Sequence, residues 1–389
     1  TAGKDMAGGC VTGLGGWVVG RRGLAVAGGR GWAVAGRGWA VAGRGWAVAG
    51  RARALAGIAG MAVGMVVSGC GGGGDEGPAT GGSAAVSTEK PVEPPILTMP
   101  TSTYTGMHAE AFKRINEARI AAGVSALKQS VELDRAAQAH SDYQVRNNVL
   151  SHFEDAAYPL FTGIDYAQRA TSQAYKNYPQ TEVIGWVQPT TSGADHINWH
   201  LNSVYHLAGV LTPNANELGI GFTHAPGDSS RVTSSITIGV TDRRLPPIRE
   251  PWIWPINGAT QVPLSFVPYG ERPNPLPDIG TNHSIKVGPP LMYCRRVNRT
   301  VGMRVSIAGL RKVGHSQTLP SWVLKHSSTA VTAPAGVEVR DDANLVYNPH
   351  CLFVIPKEPI QSGTQYELAL NEEYEGVTTR TQWIFTSVF

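Results

Sequence analysis

The sequence predicts an α+β protein: helices packed on a sheet over residues 105–243, then a small all-β sandwich. Three observations carry this. Apolar residues recur at helical spacing in "MHAEAFKRINEARIAAGVSAL" and again from Val131 to Val149. "NELGIGFTHA" and "SSITIGVTD" alternate apolar and polar residues on either side of the turn "PGDSS". After a Pro-rich stretch, short β-like runs broken by Gly, Pro and Asn fill the rest of the chain.

The first helix sets Phe112, Ile115 and Ile120 on one side with Ala118 and Ala122, and Gly123 is its natural stop. The second places Leu133, Ala136, Ala137, His140 and Tyr143 on its apolar stripe, so His140 is expected to be packing. His152 lies just beyond that helix, after "NNVL". Residues 157–180 are loop-like, with helical potential near "DYAQRATSQAY", and "TEVIGWVQ" fits either a short strand or a helical turn. "GADHINWHLNSVYHLAGVL" reads as one helix, with Ile197, Leu201 and Val204 along one side. "RRLPPIREPWIWPINGATQVPLSF" is expected to be a connector. "HSIKVG", "MRVSIAGL", "CLFVIP", "TQYELAL" and "TTRTQWIFTSV" then read as strands.

The net charge of +4 is unevenly placed. Residues 1–69 carry eight basic side chains against Asp5, or +7, which leaves −3 for residues 70–389. The part expected to fold is mildly acidic, so no nucleic-acid partner is expected. Within residues 1–50 the heptapeptide Gly-Arg-Gly-Trp-Ala-Val-Ala occurs three times in register, from Gly29, Gly36 and Gly43. Seven Gly-rich residues cannot bury a face as a solenoid repeat of about 20 residues can. A basic aromatic arm is one reading. The identity of the units favours a translated tandem DNA repeat, and residues 1–50 are set aside as a non-native or unstructured extension.

Residues 51–70 are more specific. Arg51 and Arg53 precede "ALAGIAGMAVGMVVSG", sixteen apolar or small residues from Ala54 to Gly69, and then Cys70. The run is shorter than the about 20 residues that span a bilayer and has the size of a signal-peptide core. "VVSGC" resembles the bacterial lipobox, which implies that Cys70 is lipidated and anchors the chain to a membrane. Gly71 then points to the outer membrane of a Gram-negative bacterium. Residues 71–104 are rich in Gly, Ser and Pro and read as a flexible tether. With Cys10 in the discounted segment and Cys70 lipidated, Cys294 and Cys351 remain, in a chain exported to an oxidising compartment. They are expected to form a disulfide.

"FKRINEARIAAGVSALKQSVELDRAAQAHSDYQVRNNVLSH" and "INWHLNSVYH" followed by "NELGIGF" together resemble the bacterial branch of the CAP superfamily, the cysteine-rich secretory, antigen 5 and pathogenesis-related proteins. The resemblance implies a CAP-type α-β-α sandwich over 105–243. It implies a cleft built from His152, in the "SH" context after the second helix, Glu182 in "TEVIGW", and His206 in "NSVYH". The family's Gly and Asn beside the cleft glutamate are here Thr181 and Val183, and its second acid falls at Asn202. "PIQSGTQYELAL" followed by "WIFTS" resembles the last strands of bacterial immunoglobulin-like modules, which implies an immunoglobulin-like sandwich over 263–389, beyond a connector at 244–262.

Two histidines and a glutamate can hold a zinc ion with one position open to water. They can equally form a hydrogen-bonded pocket without chemistry. His196 and His200 stand at i, i+4, but no Glu follows His196 as in the zinc-protease motif, so an exposed or capping role is expected for them. Ser203, His206 and Glu182 could form a nucleophilic set by proximity in sequence alone. The chain is thus expected to be an envelope-tethered binding module for an unknown extracytoplasmic ligand. The alternative is a metal-assisted hydrolase acting on an envelope polymer or peptide through His152, Glu182 and His206. The departures at Thr181, Val183 and Asn202 favour binding.

Overall fold

A computed structural model describes residues 92–187, 192–247, 249–296 and 302–389. The repeats, the signal-like run and Cys70 lie outside the described residues. Helix α1 (Gly106–Ala122) ends as expected at Gly123, whose φ of 84° lets its N–H reach back into the last turn. A side chain there would also collide with Arg249, 2.7 Å from its Cβ position. Helix α2 (Val131–Asn147) starts at Ser130, whose hydroxyl accepts the Leu133 N–H, with Glu132 and Asp134 in its first turn, and stops at Asn148 in the left-handed region. Helix α3 is Tyr166–Ser172, α4 Gly193–Leu201 and α5 Tyr205–Val210.

Strands β1 (Lys128–Gln129), β2 (Tyr178–Val187), β3 (Glu217–Ala225) and β4 (Asp228–Val240) form one sheet in the order β1-β3-β4-β2. "TEVIGWV" is therefore strand, and β2 is an edge. Side chains alternate across the sheet. Gly219 and Gly221 of β3 face α2 so closely that a Cβ would come within 2.0 and 2.4 Å of the α2 backbone. Leu218, Ile220 and Phe222 face the other way, into a core shared with Phe112 and Ile115 of α1, Ile197 and Leu201 of α4, and Leu207 of α5. The result is an α-β-α sandwich. Arg119, wholly buried on α1, donates to the carbonyls of Ser125, Val210 and Ala215, which ties α1 to the end of α5. Burial lowers its pKa to about 9, which leaves it charged at neutral pH.

The single helix expected over 193–211 is two. The Ser203 hydroxyl donates to the His200 carbonyl at 2.6 Å. The Glu271 carboxylate then accepts the N–H groups of Val204, Tyr205 and His206 at 2.8, 2.6 and 3.0 Å. Three orphan donors satisfied by one carboxylate begin a new helix, α5, at the break.

The rest of the described chain is β-rich and forms two sheets. Strands β5 (Trp252–Trp254) and β6 (Ala259–Val262) fall within the expected connector, yet each edges a sheet. The other strands are β7 (Leu291–Cys294), β8 (Arg304–Lys312), β9 (Ser321–Lys325), β10 (Ala330–Thr332), β11 (Val337–Asp341), β12 (Cys351–Pro356), β13 (Gln365–Tyr374) and β14 (Val377–Ser387). The orders are β10-β8-β13-β14-β6 and β11-β9-β12-β7-β5. Three edge pairs, β10 with β8, β11 with β9 and β14 with β6, run parallel. "HSIKVG" contributes one isolated bridge, Val287 to Phe266, rather than a strand. Cys294 and Cys351, directly opposite in the β7–β12 pairing, form a disulfide.

Strand β12 is buried along its whole length, for a reason. Leu352 and Val354 face Leu368, Trp383 and Phe385 of the second sheet. Cys351, Phe353 and Ile355 join the core that holds α1 and α4. The β11-β9-β12-β7-β5 sheet is thus packed on both faces, and all described residues lie in one compact unit, Ala85–Phe389.

Candidate functional site

Glu182 projects from β2 towards α2, on the face opposite Val183, which meets α5 at Gly209. Its side chain is fully buried and its oxygens are well occupied. Arg169 Nη2 lies 2.8 Å from both, Ser235 Oγ donates to Oε1 at 3.2 Å, and His152 Nδ1 lies 3.1 Å from Oε2. Burial pushes this carboxyl upward. The His152 hydrogen bond and the charges of His140, Arg169 and His152 outweigh burial and hold it at about 2. Arg169 sits on α3, begun by Asp165, whose carboxylate accepts the Gln168 N–H. Through Nη1 the same guanidinium also holds the His152 carbonyl at 3.1 Å.

His140 belongs to this network. It is buried and hydrogen-bonded, as a packed histidine should be, with Nδ1 2.8 Å from Glu154 Oε1 and Nε2 2.9 Å from the Ser151 carbonyl. Its Nε2 also lies 3.9 Å from Glu182 Oε2, which places the ring beside that carboxylate. Glu154 accepts the N–H groups of Thr162 and Gly163, closing the loop after α2. Burial raises its carboxyl, but the bonds from His140 and Thr162 and the charges of His140 and Arg169 bring it below the usual range.

Within this cluster His152 alone reaches solvent, with 39 % of its side chain exposed. Its loop also carries Leu150, Phe153, Tyr158, Leu160 and Ile164, all exposed. The accessible histidine therefore stands on an apolar stretch of surface.

His206 is placed differently. It lies on α5, across β2 from Glu182, and its Nδ1 is 3.1 Å from Glu271 Oε1, at ion-pair range without hydrogen-bond alignment. Its ring packs at a tilt against His200 and Trp199, with centroids 4.9 and 5.4 Å away. Of the three expected cleft residues, the structure pairs His152 with Glu182 and gives His206 a separate acid. Among the described residues no group of His, Cys, Asp and Glu side chains could hold a metal ion, so the residues present do not fit the zinc site considered from sequence. Ser203 gives its proton to a helix carbonyl, so no nucleophilic set forms around it.

His196 and His200 are neither exposed nor capping: both are completely buried. On a helix whose inward side meets Phe222 and Gly185, the i, i+4 spacing points both rings into the core. Neither nitrogen of His196 has a partner among the described residues, and burial lowers its pKa to about 4. His200 touches Ser234 Oγ at 3.4 Å and is pushed well below the ordinary value, first by burial and then by the charges of His206, His196 and His152. Sequence reasoning missed Arg169, Glu154 and Glu271. Arg169 had a faint signal, a lone basic residue in "DYAQRATSQAY"; Glu271 had none.

Residues 112–238 match the model of the CAP family, the cysteine-rich secretory protein family, and form a CAP domain. Among solved structures, an outer surface protein of Borrelia burgdorferi is similar at 14% identity over 35% of this chain and 92% of its own, with a TM-score of 0.29. An extracellular protein containing an SCP domain from Bacillus anthracis is similar at 19% identity, with a TM-score of 0.27, over 33% of this chain and 39% of its own. No curated protein matches.

Proposed function

We propose that the chain is an extracytoplasmic binding module, tethered to a membrane through lipidated Cys70, whose CAP domain takes its ligand at His152 and the apolar loop around it. The observation that carries this reading is the state of Glu182. A general base or metal ligand needs a lone pair it can offer to substrate or ion. The Glu182 oxygens are engaged by Arg169, Ser235 and His152, in a carboxyl held at about 2. Such a carboxylate orients its histidine. Held through Nδ1 and with 39 % of its side chain exposed, His152 is a fixed polar contact among exposed apolar side chains.

The membrane tether rests on Arg51, Arg53, the apolar run and "VVSGC". The immunoglobulin-like reading of 263–389 is supported by the β13–β14 hairpin and stands against the parallel edge pairs. One experiment tests the binding reading against the hydrolytic one. The purified full chain is assayed for bound metal and against a panel of ester, peptide and glycoside substrates, beside His152→Ala. No stoichiometric metal and no hydrolysis dependent on His152 are expected. Turnover abolished by His152→Ala would overturn the reading. Globomycin, which blocks the lipoprotein signal peptidase, should make an uncleaved precursor accumulate in cells.

A further inference from the structure

Between the CAP domain and the β region lies a cavity of about 580 Å³, within the size range of small-ligand sites. Helices α1 and α4 contribute polar groups to it: Arg114 and Glu117 from the first, Asn198 from the second and Asn202 from the residue that caps it. The β region contributes flat apolar rings, the Trp254 indole and several prolines, together with Gln261.

The polar groups are held in place but not used up. Arg114 Nε donates to Asn198 Oδ1 at 2.6 Å, with its guanidinium 5.8 Å from the Trp254 ring centroid. Asn202 Nδ2 donates to the Ser265 carbonyl at 2.9 Å. Each amide is therefore fixed at one end and open at the other: Asn198 offers its Nδ2 donor and Asn202 its Oδ1 acceptor. Gln261 offers both. The opposite charges of Arg114 and Glu117 leave the cavity formally neutral.

We infer that this junction binds a neutral saccharide. A pyranose ring presents an apolar C–H face, suited to the indole and proline rings, and an edge of hydroxyls that donate and accept, suited to planar amides with both functions. An acyl chain would fill the same space and strip water from these amides without replacing their hydrogen bonds, which is costly. A peptide strand added to the free edge of β6 needs an unbroken row of N–H and C=O groups. That row is interrupted at Gln261, with a φ of 61°, and ends at Pro263. The site shares no residue with the His152 surface, so it stands or falls independently of the binding reading above.

The test is calorimetric titration of the full chain with chitohexaose, cellohexaose and maltohexaose, repeated with Asn198→Ala, Gln261→Ala and Trp254→Ala. Saturable binding of at least one oligosaccharide is expected. Asn198→Ala and Gln261→Ala alter exposed side chains and should each weaken it about fivefold, with thermal unfolding unchanged. Trp254→Ala should abolish it. Failure of all three oligosaccharides to bind, or binding undiminished in Asn198→Ala and Gln261→Ala, would overturn the inference. So would saturable binding of oleate that those two substitutions weaken.

Discussion

Glu182 illustrates how a carboxylate can sit in the middle of a domain without being reactive. It is neutralised by Arg169, bonded by Ser235 and His152, and lies within reach of His140. Removing one partner of such a buried pair leaves the other uncompensated, which costs more than the pair contributes net. Glu182→Gln should therefore lower the unfolding free energy at pH 7 by about 3 kcal/mol, measured by denaturant titration. Acid dependence supplies a second signature. The Glu182 carboxyl titrates at about 2 when folded and at the ordinary value of 4.5 when unfolded, so its contribution is complete above pH 4.5 and is lost as pH falls towards 2. That part of the acid-unfolding slope should be missing in Glu182→Gln.

His196 acts in a different window. Its folded pKa of about 4 lies below the ordinary 6.5, so the unfolded chain takes up a proton that the folded chain refuses. Stability should fall from pH 6.5 to pH 4 and level off below. His196→Leu removes two ring nitrogens that have no partner among the described residues. It should stabilise the protein at pH 5 relative to the wild type and flatten that segment of the profile.

At the scale of elements, α2 lies on β3 through Gly219 and Gly221, where backbone meets backbone. Gly221→Ala would place its Cβ 2.4 Å from the Ala137 backbone and force α2 away from the sheet. The denaturation midpoint should drop with the slope unchanged, corresponding to a loss of about 2 kcal/mol. Much of this layer was legible in the sequence. Helical spacing placed α1 and α2, alternation placed β3 and β4, and the "SH" and "TEVIGW" contexts found His152 and its partner Glu182. The helix over 193–211 was misread because its break is made from outside: the groups that accept the N–H of Val204, Tyr205 and His206 belong to Glu271, far along the chain. Periodicity cannot register a partner of that kind. His196 and His200 were misplaced because i, i+4 spacing fixes which side of a helix two residues share and leaves open which way that side faces.

At the scale of the molecule, the CAP domain and the β region share a core, reaching from Phe112 and Ile115 through Trp252 and Phe266 to Phe353. Tyr205 of α5 also donates to Asp342, at 2.6 Å, so the helix that carries His206 is held twice from the β region. A Pro-rich segment suggested a connector because composition reports local stiffness; Trp252 and Val262 are nonetheless buried, and the segment pairs with both sheets. His152 is hydrogen-bonded to Glu182 of β2, whereas the acid at ion-pair range of His206 is Glu271 of the β region. Double-mutant cycles on the unfolding free energy of the full chain test this most directly, using alanine at the histidines and glutamine at the glutamates. Coupling of about 1 kcal/mol or more is predicted for His152 with Glu182 and for His206 with Glu271, and none beyond error for His206 with Glu182. Coupling between His206 and Glu182 as large as that between His152 and Glu182 would contradict the account and restore a single three-residue site.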